Sequence, residues 1–389
     1  MPLSMIACGV PARLPERHMF QLAIDLRNGI TAIWLVPFLT YLRHISDHST
    51  KDTAVTEPEM LCFLLAELGV VVSDHVILNR DPSRDHREEG FEGGDTVFAI
   101  DRLVEPIIIS TINSWPIKIL PVTVVAEGMG ATGVIHIGNQ EKPARYRLLL
   151  DPIDGTRGLM YDKRSAWFLA AAAPENGVGT YLRSAIASVM VEIPTTKQVL
   201  SDIWMTSIES DTKGIRRNTV SKERVEIKAA PSSAKTLRNA FAQVSNFFPG
   251  TKLLASDLME FIAERCGDKS LEGQSLIFDD QYISTGGQFV ELMVGHDRFC
   301  CDLRPIFYEI VRCRSGKEPT GGLQCHPYDV SGLLALRNAG VLITNAWGDD
   351  LDAPFDVNTP ISWCGYANQS IKDLIAPVVQ EWIDLNYIK

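Results

Sequence analysis

The apolar positions of the chain fall into two periodicities. Residues 18–45 and PEMLCFLLAEL (58–68) repeat at helical spacing, with Pro37 marking a kink or break in the first stretch. TVFAIDRLVEPIIISTINS predicts a helix from about Ile100, with Pro106 in its first turns, where a missing N–H is tolerated. Near residue 119 the period changes. ILPVTVVAEG, RYRLLLDP, WFLAAAAP, RSAIASVMVEIP and KQVLSDIWMT are short apolar or β-branched runs between turn residues, and they predict strands. Pro152 is expected to stop ladder pairing in the second of them. Helical and strand patterns then alternate through SAKTLRNAF, ASDLMEFIAERCG, QFVELMVG, DVSGLLALRNAG and VLIT.

Two polar stretches interrupt this order. LNRDPSRDHREEGFEGGD predicts an exposed loop, and ESDTKGIRRNTVSKERVEIKAAPSSAK marks a division ending near residue 232. The expectation is an α+β, mixed α/β protein in two parts: an N-terminal α+β subdomain over 1–232 and a C-terminal α/β subdomain over 233–389.

Composition narrows the function classes. Hydrophobic residues at 46% and charged residues at 22% are ordinary for a globular protein. A net charge of −11 argues against a general nucleic-acid or acidic-membrane binder, which needs a basic footprint. A small anionic substrate stays open, because a bound divalent cation reverses the local field. The eight cysteines form no CxxC pair, and a chain of this size needs no disulfides, so reduced thiols are expected. MPLSMIACGVPARLPERH lacks the charged and apolar regions of a signal peptide, and GITAIWLVPFLTYL is too short to span a bilayer. A cytoplasmic location is expected. The histidines show no metal spacing, and GDD and DDLDAPFD lack the glutamate of a calcium loop.

The candidate chemistry sits in RLLLDPIDGTRGLMYD. Asp151 ends an apolar strand, the place where open α/β sheets hold ligands. Gly155 permits a tight turn, and Thr156 offers a hydroxyl at a helix start whose N–H groups favour an anion. Asp151 and Asp154 beside such a turn suit Mg²⁺ shared with a substrate phosphate. The plainer alternative is a turn at Asp154-Gly155 with Asp151 as a strand-end cap. The Asp-x-Asp-Gly-Thr motif of haloacid-dehalogenase-like phosphatases does not apply, because Pro152 stands where its nucleophile would be. Glu127 ends VTVVAEG, Asp101 begins its own helix, and Asp329 is placed to cap a helix over about 330–338 that Gly340 stops. Arg157, Tyr161, Lys163 and Arg164 follow the turn and are expected to form a solvated helix face, with binding of a second anionic group as the alternative.

DPIDGT resembles the signature of the inositol monophosphatase superfamily, the Mg²⁺-dependent, lithium-sensitive phosphatases that include fructose-1,6-bisphosphatases and bisphosphate nucleotidases. DTVFAIDRLVE is similar to an upstream motif at Asp95, Val97 and Asp101, with Phe98 in place of a threonine. VTVVAEG supplies the metal glutamate as Glu127, followed by Gly128 where the family commonly has a second acidic residue. YDVSGLLALRNAG resembles the last motif, with Tyr328 for its tryptophan and Asp329 in the ligand position. ISTGGQFVELMVGHDRF resembles the small-residue strand that lines the substrate pocket, through Gly286 and Gly287. In place of an inositol-contacting acidic residue, EPTGGLQCHPYD offers Glu318.

The resemblance covers roughly residues 90–370. It implies a layered αβαβα sandwich and hydrolysis of a small phosphorylated alcohol or sugar by metal-activated water. It also implies two or three Mg²⁺ ions, replaceable by Mn²⁺, held by Glu127, Asp151, Asp154, Asp329 and the Ile153 carbonyl. Thr156 with Glu127 would orient the water, Gly155 and Thr156 would cradle the phosphate, and Asp95 and Asp101 would complete the catalytic group. Bisphosphate nucleotidase or fructose-1,6-bisphosphatase activity is the alternative, and a non-catalytic metal- or phosphate-binding protein the alternative of another class. The expected partners are a small phosphorylated metabolite and a second copy of the chain, with no nucleic acid and no membrane.

Overall fold

The long helix that opens the described chain shows how tertiary contact overrides local preference. Helix α1 (Glu57–Asn79) starts at a capping box, Thr56 Oγ1 accepting from the Glu59 N–H at 3.3 Å and the Glu59 carboxylate accepting from the Thr56 N–H at 3.1 Å. It runs well beyond the expected end at residue 68, although its later half is rich in valine, which is stiff at χ1 and a weaker helix former. Leu65, Leu68, Val72 and Val76 are buried along it, against strands of the first sheet. Burial of such side chains is worth roughly 1.5–3 kcal/mol each, which outweighs propensity. By length and composition α1 would also suit a membrane span. In this computed structural model its buried face lies on protein. Gly69 allows the close approach: a Cβ there would meet Phe168 and Val191 at 2.6 Å.

The structure describes residues 55–81, 84–92, 95–130, 132–267, 276–316 and 323–387, without the side chains of 91, 92, 95 and 97. The helical expectation for 18–45, the pocket residue Glu318 and the side chain of Asp95 lie outside the described residues. Thr56–Lys389 form one compact unit.

After α1 come the antiparallel pair β1 (Glu88–Glu92) and β2 (Asp95–Phe98), then α2 (Ala99–Arg102) and α3 (Glu105–Asn113), with Pro106 in the first turn of α3. Next are β3 (Val122–Ala126), β4 (Val134–Ile137), β5 (Tyr146–Asp154), α4 (Thr156–Met160), β6 (Ala166–Pro174) and β7 (Ala187–Ile193). β8 (Leu200–Ser207), β9 (Lys213–Asn218) and β10 (Arg224–Ile227) complete an eight-stranded sheet of order β10-β9-β8-β7-β6-β5-β3-β4. It is antiparallel except where β3 and β5 run parallel.

The chain continues through β11 (Ala240–Val244), α5 (Lys252–Cys266), β12 (Ile277–Phe278), α6 (Thr285–Met293), β13 (Asp297–Asp302) and α7 (Arg304–Ser315). A 3₁₀ turn (Tyr328–Val330), α8 (Leu333–Asn338), β14 (Leu342–Asn345), β15 (Trp363–Tyr366) and α9 (Gln369–Asn386) follow. Five of these strands form a second, mixed sheet of order β12-β11-β13-β15-β14.

The layers are those of an αβαβα sandwich. α1, with α3 beside it, covers one face of the first sheet, and α6 and α8 lie between the two sheets. α5, α7 and α9 bury the far face of the second sheet around Phe307 and Trp382. β6 is apolar throughout and its residues Ala166–Ala173 are all buried, as expected of a strand covered on both faces. Between the sheets Phe289 meets Trp363 edge-on, ring centres 4.9 Å apart.

Several expectations are corrected. Pro152 does not end strand pairing: a bulge absorbs one extra residue, and Asp154 pairs opposite Trp167. EEGFE, expected in a loop, forms β1, and the polar stretch after residue 207 contains β9 and β10 at the sheet edge. STGGQFVELM is helix α6 and not a strand, because Ser284 caps it by accepting from the Gly287 N–H at 2.8 Å. The helix expected over 330–338 is split into the 3₁₀ turn and α8, and Gly340 ends it at φ +91°.

Candidate active site

The strand register brings the acidic residues together. Ala126, the last residue of β3, pairs with Leu150, so Glu127 and Asp151 leave adjacent parallel strands side by side. The bulge then turns β5 through Asp154. The 3₁₀ turn carrying Asp329 packs on β5, β6 and α6. One carboxylate oxygen each from Asp151, Asp154 and Asp329 lies within 4.8 Å of the others. Asp151 and Asp154 are buried and Asp329 is half-buried.

Each carboxylate is held differently. Asp154 Oδ2 accepts from the Ser284 hydroxyl at 2.8 Å and the Gly286 N–H at 2.5 Å, and its Oδ1 accepts from the Thr285 N–H at 3.2 Å. Burial pushes its carboxyl up to about 6, and these three donors pull against that rise. Asp151 accepts from the Ile153 N–H at 3.0 Å. Burial first, then the charges of Asp154, Asp329 and Glu127, raise it well above the usual carboxylate range. Asp329 is raised by burial and by Asp154, and it accepts from the His326 N–H at 2.6 Å. It therefore caps the turn behind it, a correction to its expected place as the N-cap of the following helix.

The neighbouring polar groups converge on the same place. The Tyr328 hydroxyl donates to Glu127. The Thr156 hydroxyl lies 2.9 Å from both Asp101 Oδ1 and the Ile153 carbonyl, while Asp101 Oδ2 accepts from the Phe98 N–H at 2.9 Å. Gly155 starts α4 at φ +99°, and a Cβ there would press on the Ile283 carbonyl and Ser284 Cβ at 3.1 Å. Glycine is thus required by backbone and by space. Arg304 is buried and bonded to both oxygens of Asp302, and its charge lowers the proton affinity of Asp154 and Asp329.

The four acidic residues Glu127, Asp151, Asp154 and Asp329 border one cavity, with Asp101, Thr156, Arg304 and Tyr328. The donor set fits a hard divalent cation: oxygens only, converging from three separate elements. Like charges about 4 Å apart repel by several kcal/mol in a protein surrounding, so the cluster either keeps protons or takes a counter-charge.

The structure places Asp101, Glu127, Asp151, Ile153, Asp154, Gly155, Thr156 and Asp329 together on this cavity. Gly286 and Gly287 are placed otherwise. The Gly286 amide is spent on Asp154 and Gly287 packs under the Tyr282 ring, while Ser284 and Thr285 border the cavity in their stead. Two contributors went unseen in the sequence, Ser284 and Arg304, and Arg157, expected on a solvated face, borders the cavity. Ser284 stood three residues before Gly287, a capping spacing that the paired glycines masked. His326 borders the cavity, stacked on Tyr328 with centres 5.5 Å apart.

No protein-family model and no curated protein matches the sequence. The fold is nevertheless shared with solved structures of a fructose-1,6-bisphosphatase and an IMPase. A fructose-1,6-bisphosphatase from Leishmania major in holo form matches over 85% of this chain and 99% of its own, at TM-score 0.57 and 11% identity. An IMPase from Thermotoga maritima matches over 84% and 98%, at 0.50 and 16%. The extragenic suppressor protein suhB from Bartonella henselae matches over 82% and 98%, at 0.52 and 14%. The likeness is one of fold.

Proposed function

We propose that the chain is a divalent-metal-dependent phosphomonoesterase acting on a small phosphorylated alcohol or sugar. The observation that carries this reading is the convergence of Asp151, Asp154 and Asp329 within 4.8 Å, beside the Gly155-Thr156 turn. The neighbours' fold and their printed names, fructose-1,6-bisphosphatase and IMPase, support it.

Glu127, Asp151, Asp154, Asp329 and the Ile153 carbonyl would hold two or three Mg²⁺ or Mn²⁺ ions. When bound, such ions activate water as Lewis acids and neutralise phosphate charge. The N–H groups of Gly155 and Thr156, at the start of α4, would receive phosphate oxygens. Donation from Thr156 Oγ1 to Asp101 leaves the hydroxyl's lone pairs to accept from an attacking water. Glu127, fixed by the Tyr328 hydroxyl, is the acceptor on the water's other side. A bisphosphate-cleaving activity is the runner-up, carried by the fructose-1,6-bisphosphatase neighbour.

The test is phosphate release from a panel of sugar, polyol and nucleotide phosphates, with Mg²⁺, with Mn²⁺ and with excess chelator. Release that requires the metal is the expected result. Full release in chelator would remove the metal from the reading, and metal binding without release from any ester would favour a non-catalytic binding protein.

A further inference from the structure

The paired glycines at 286 and 287 make room for two other groups. A Cβ at Gly286 would meet Asp154 Oδ2 at 3.0 Å and Trp167 Cβ at 3.1 Å, and one at Gly287 would run into the Tyr282 ring. Tyr282 is buried. Its hydroxyl accepts from the Trp167 Nε1–H at 3.0 Å, donates to the Ser165 carbonyl at 2.9 Å and lies 2.9 Å from the Ser165 hydroxyl. The Arg164 guanidinium lies on the ring, its carbon 4.1 Å from the centre. Arg164, expected on the solvated face with Tyr161 and Lys163, is half-buried there and pairs with Asp280 at 2.7 Å, while the other two are exposed.

These contacts close a ring around Asp154. Ser165 leads into β6, and Trp167, the second residue of β6, pairs opposite Asp154. On the other side, Tyr282 stands two residues before Ser284, and Ser284, Thr285 and Gly286 give Asp154 its three donors. Tyr282 therefore reaches Asp154 by two routes, through the strand pair and through the start of α6. The ring alone would fill the space between them. What the hydroxyl adds is a fixed spacing between β6 and the start of α6, because hydrogen bonds weaken steeply away from their preferred distance and angle. A metal ligand has to be held to within about 0.5 Å by its supports.

We propose that Tyr282 is a positioning residue of the metal site, its hydroxyl tying the start of α6 to β6 so that Asp154 is held between its strand partner and its three donors. The proposal rests on the metal-dependent reading of the cavity and on no particular ester. Tyr282 stands outside the cavity lining, whereas Ser284 and Thr285 belong to it. It acts through them, so its loss shows first in metal affinity.

The experiment measures Mn²⁺ binding to the full chain by calorimetry, beside the thermal midpoint in chelator. Tyr282→Phe keeps the ring and should weaken Mn²⁺ binding about tenfold, with a midpoint lowered by a few degrees. Trp167→Phe removes the donor to the same hydroxyl and should give part of that loss. The double variant should bind no more weakly than Tyr282→Phe alone, because both changes break one tie. Trp382→Phe is the control for stability: it loses an indole bond to Asp257 at 2.7 Å, in the core on the far face of the second sheet. It should lower the midpoint and leave Mn²⁺ binding within about twofold. Losses that multiply in the double variant, or an equal Mn²⁺ loss in Trp382→Phe, would reduce Tyr282 to a core residue and overturn the proposal. If Tyr282→Phe fails to fold, Trp167→Phe against Trp382→Phe decides by the same measure. Absence of Mn²⁺ binding in the wild type would overturn the metal reading and this proposal together. Binding that Tyr282→Phe leaves unchanged would overturn this proposal alone.

Discussion

The two ends of α6 each meet a buried aspartate and treat it in opposite ways. At the N-terminal end, Asp154 receives two backbone N–H groups and the Ser284 hydroxyl, where the helix dipole also favours an anion. Just beyond the C-terminal end, Asp297 is 4% exposed and accepts from the Gln243 amide at 3.0 Å. Burial pushes Asp297 up to about 7, with the Glu291 and Asp280 charges adding to the rise and Gln243 and His296 opposing it. Glu291 meets His296 Nδ1 at 2.5 Å, on the exposed side of this end. Asp154 reaches about 6 although it faces two further carboxylates within 4.8 Å. Burial raises both carboxylates; hydrogen-bond donors and Arg304 oppose the rise at Asp154, while the charges of Glu291 and Asp280 add to it at Asp297. The end with the more hydrogen-bond donors is the one at the cavity.

The comparison breaks most sharply at Asp154. Asp154→Asn keeps the shape and a hydrogen-bond acceptor but removes one of the three clustered carboxylate charges. Turnover should fall by roughly a thousandfold or more, since the metal's contribution to such chemistry is several kcal/mol. The thermal midpoint should hold or rise, because repulsion within the cluster is relieved. Normal turnover would take Asp154 out of the site.

Asp297 tests the other end, through stability. Its folded carboxyl titrates near about 7 against 3.8 for the free side chain. Between those values the folded state holds a proton that the unfolded chain has released, so stability must fall as pH rises through that window. About three pH units at roughly 1.4 kcal/mol each sets a ceiling near 4 kcal/mol. Asp297→Asn should therefore flatten the decline between pH 4 and 7 and leave a variant more stable than the parent above it. Gln243 Oε1 is buried with no hydrogen-bond partner, and the introduced amide NH₂ offers it one. Urea midpoints at several pH values measure this, and an unchanged slope would show that Asp297 ionises like an ordinary carboxylate.

How much of this was legible follows the same divide. Asp151, Asp154 and Gly155 announced themselves because a strand end, two carboxylates and a glycine turn are adjacent in the chain. Glu127 and Asp329 could be added by their order along it. Ser284 could not, since its partner is brought by the fold: Asp154 lies 130 positions from it. Arg157 could be named beside the turn, but the rings that hold it lie far off on either side in sequence. Phe98, which stands where the family carries threonine, gained a meaning only when its ring was found against Arg157. The glycines at 286 and 287 suggested a strand by smallness alone, and the helix dipole aimed at Asp154 was lost with that assignment. The length of α1 was hidden for a related reason, valines being neutral to helix until a sheet covers them.

Ser284 joins the two halves of the comparison and carries the smallest expected effect. Its hydroxyl accepts from the Gly287 N–H and donates to Asp154 Oδ2, both at 2.8 Å, so it caps α6 and positions the Asp154 carboxylate at once. Ser284→Ala removes both bonds. Loss of a cap costs about 1 kcal/mol, and loss of a bond that orients a metal ligand costs about tenfold in metal affinity. Ser284→Thr should restore both. Mn²⁺ binding measured directly, beside the thermal midpoint, separates the two duties. A lower midpoint with unchanged Mn²⁺ affinity would reduce Ser284 to a helix cap. Weakened Mn²⁺ binding in the alanine variant, recovered in the threonine one, would show that the N-terminal end of α6 is built around Asp154 and not merely next to it.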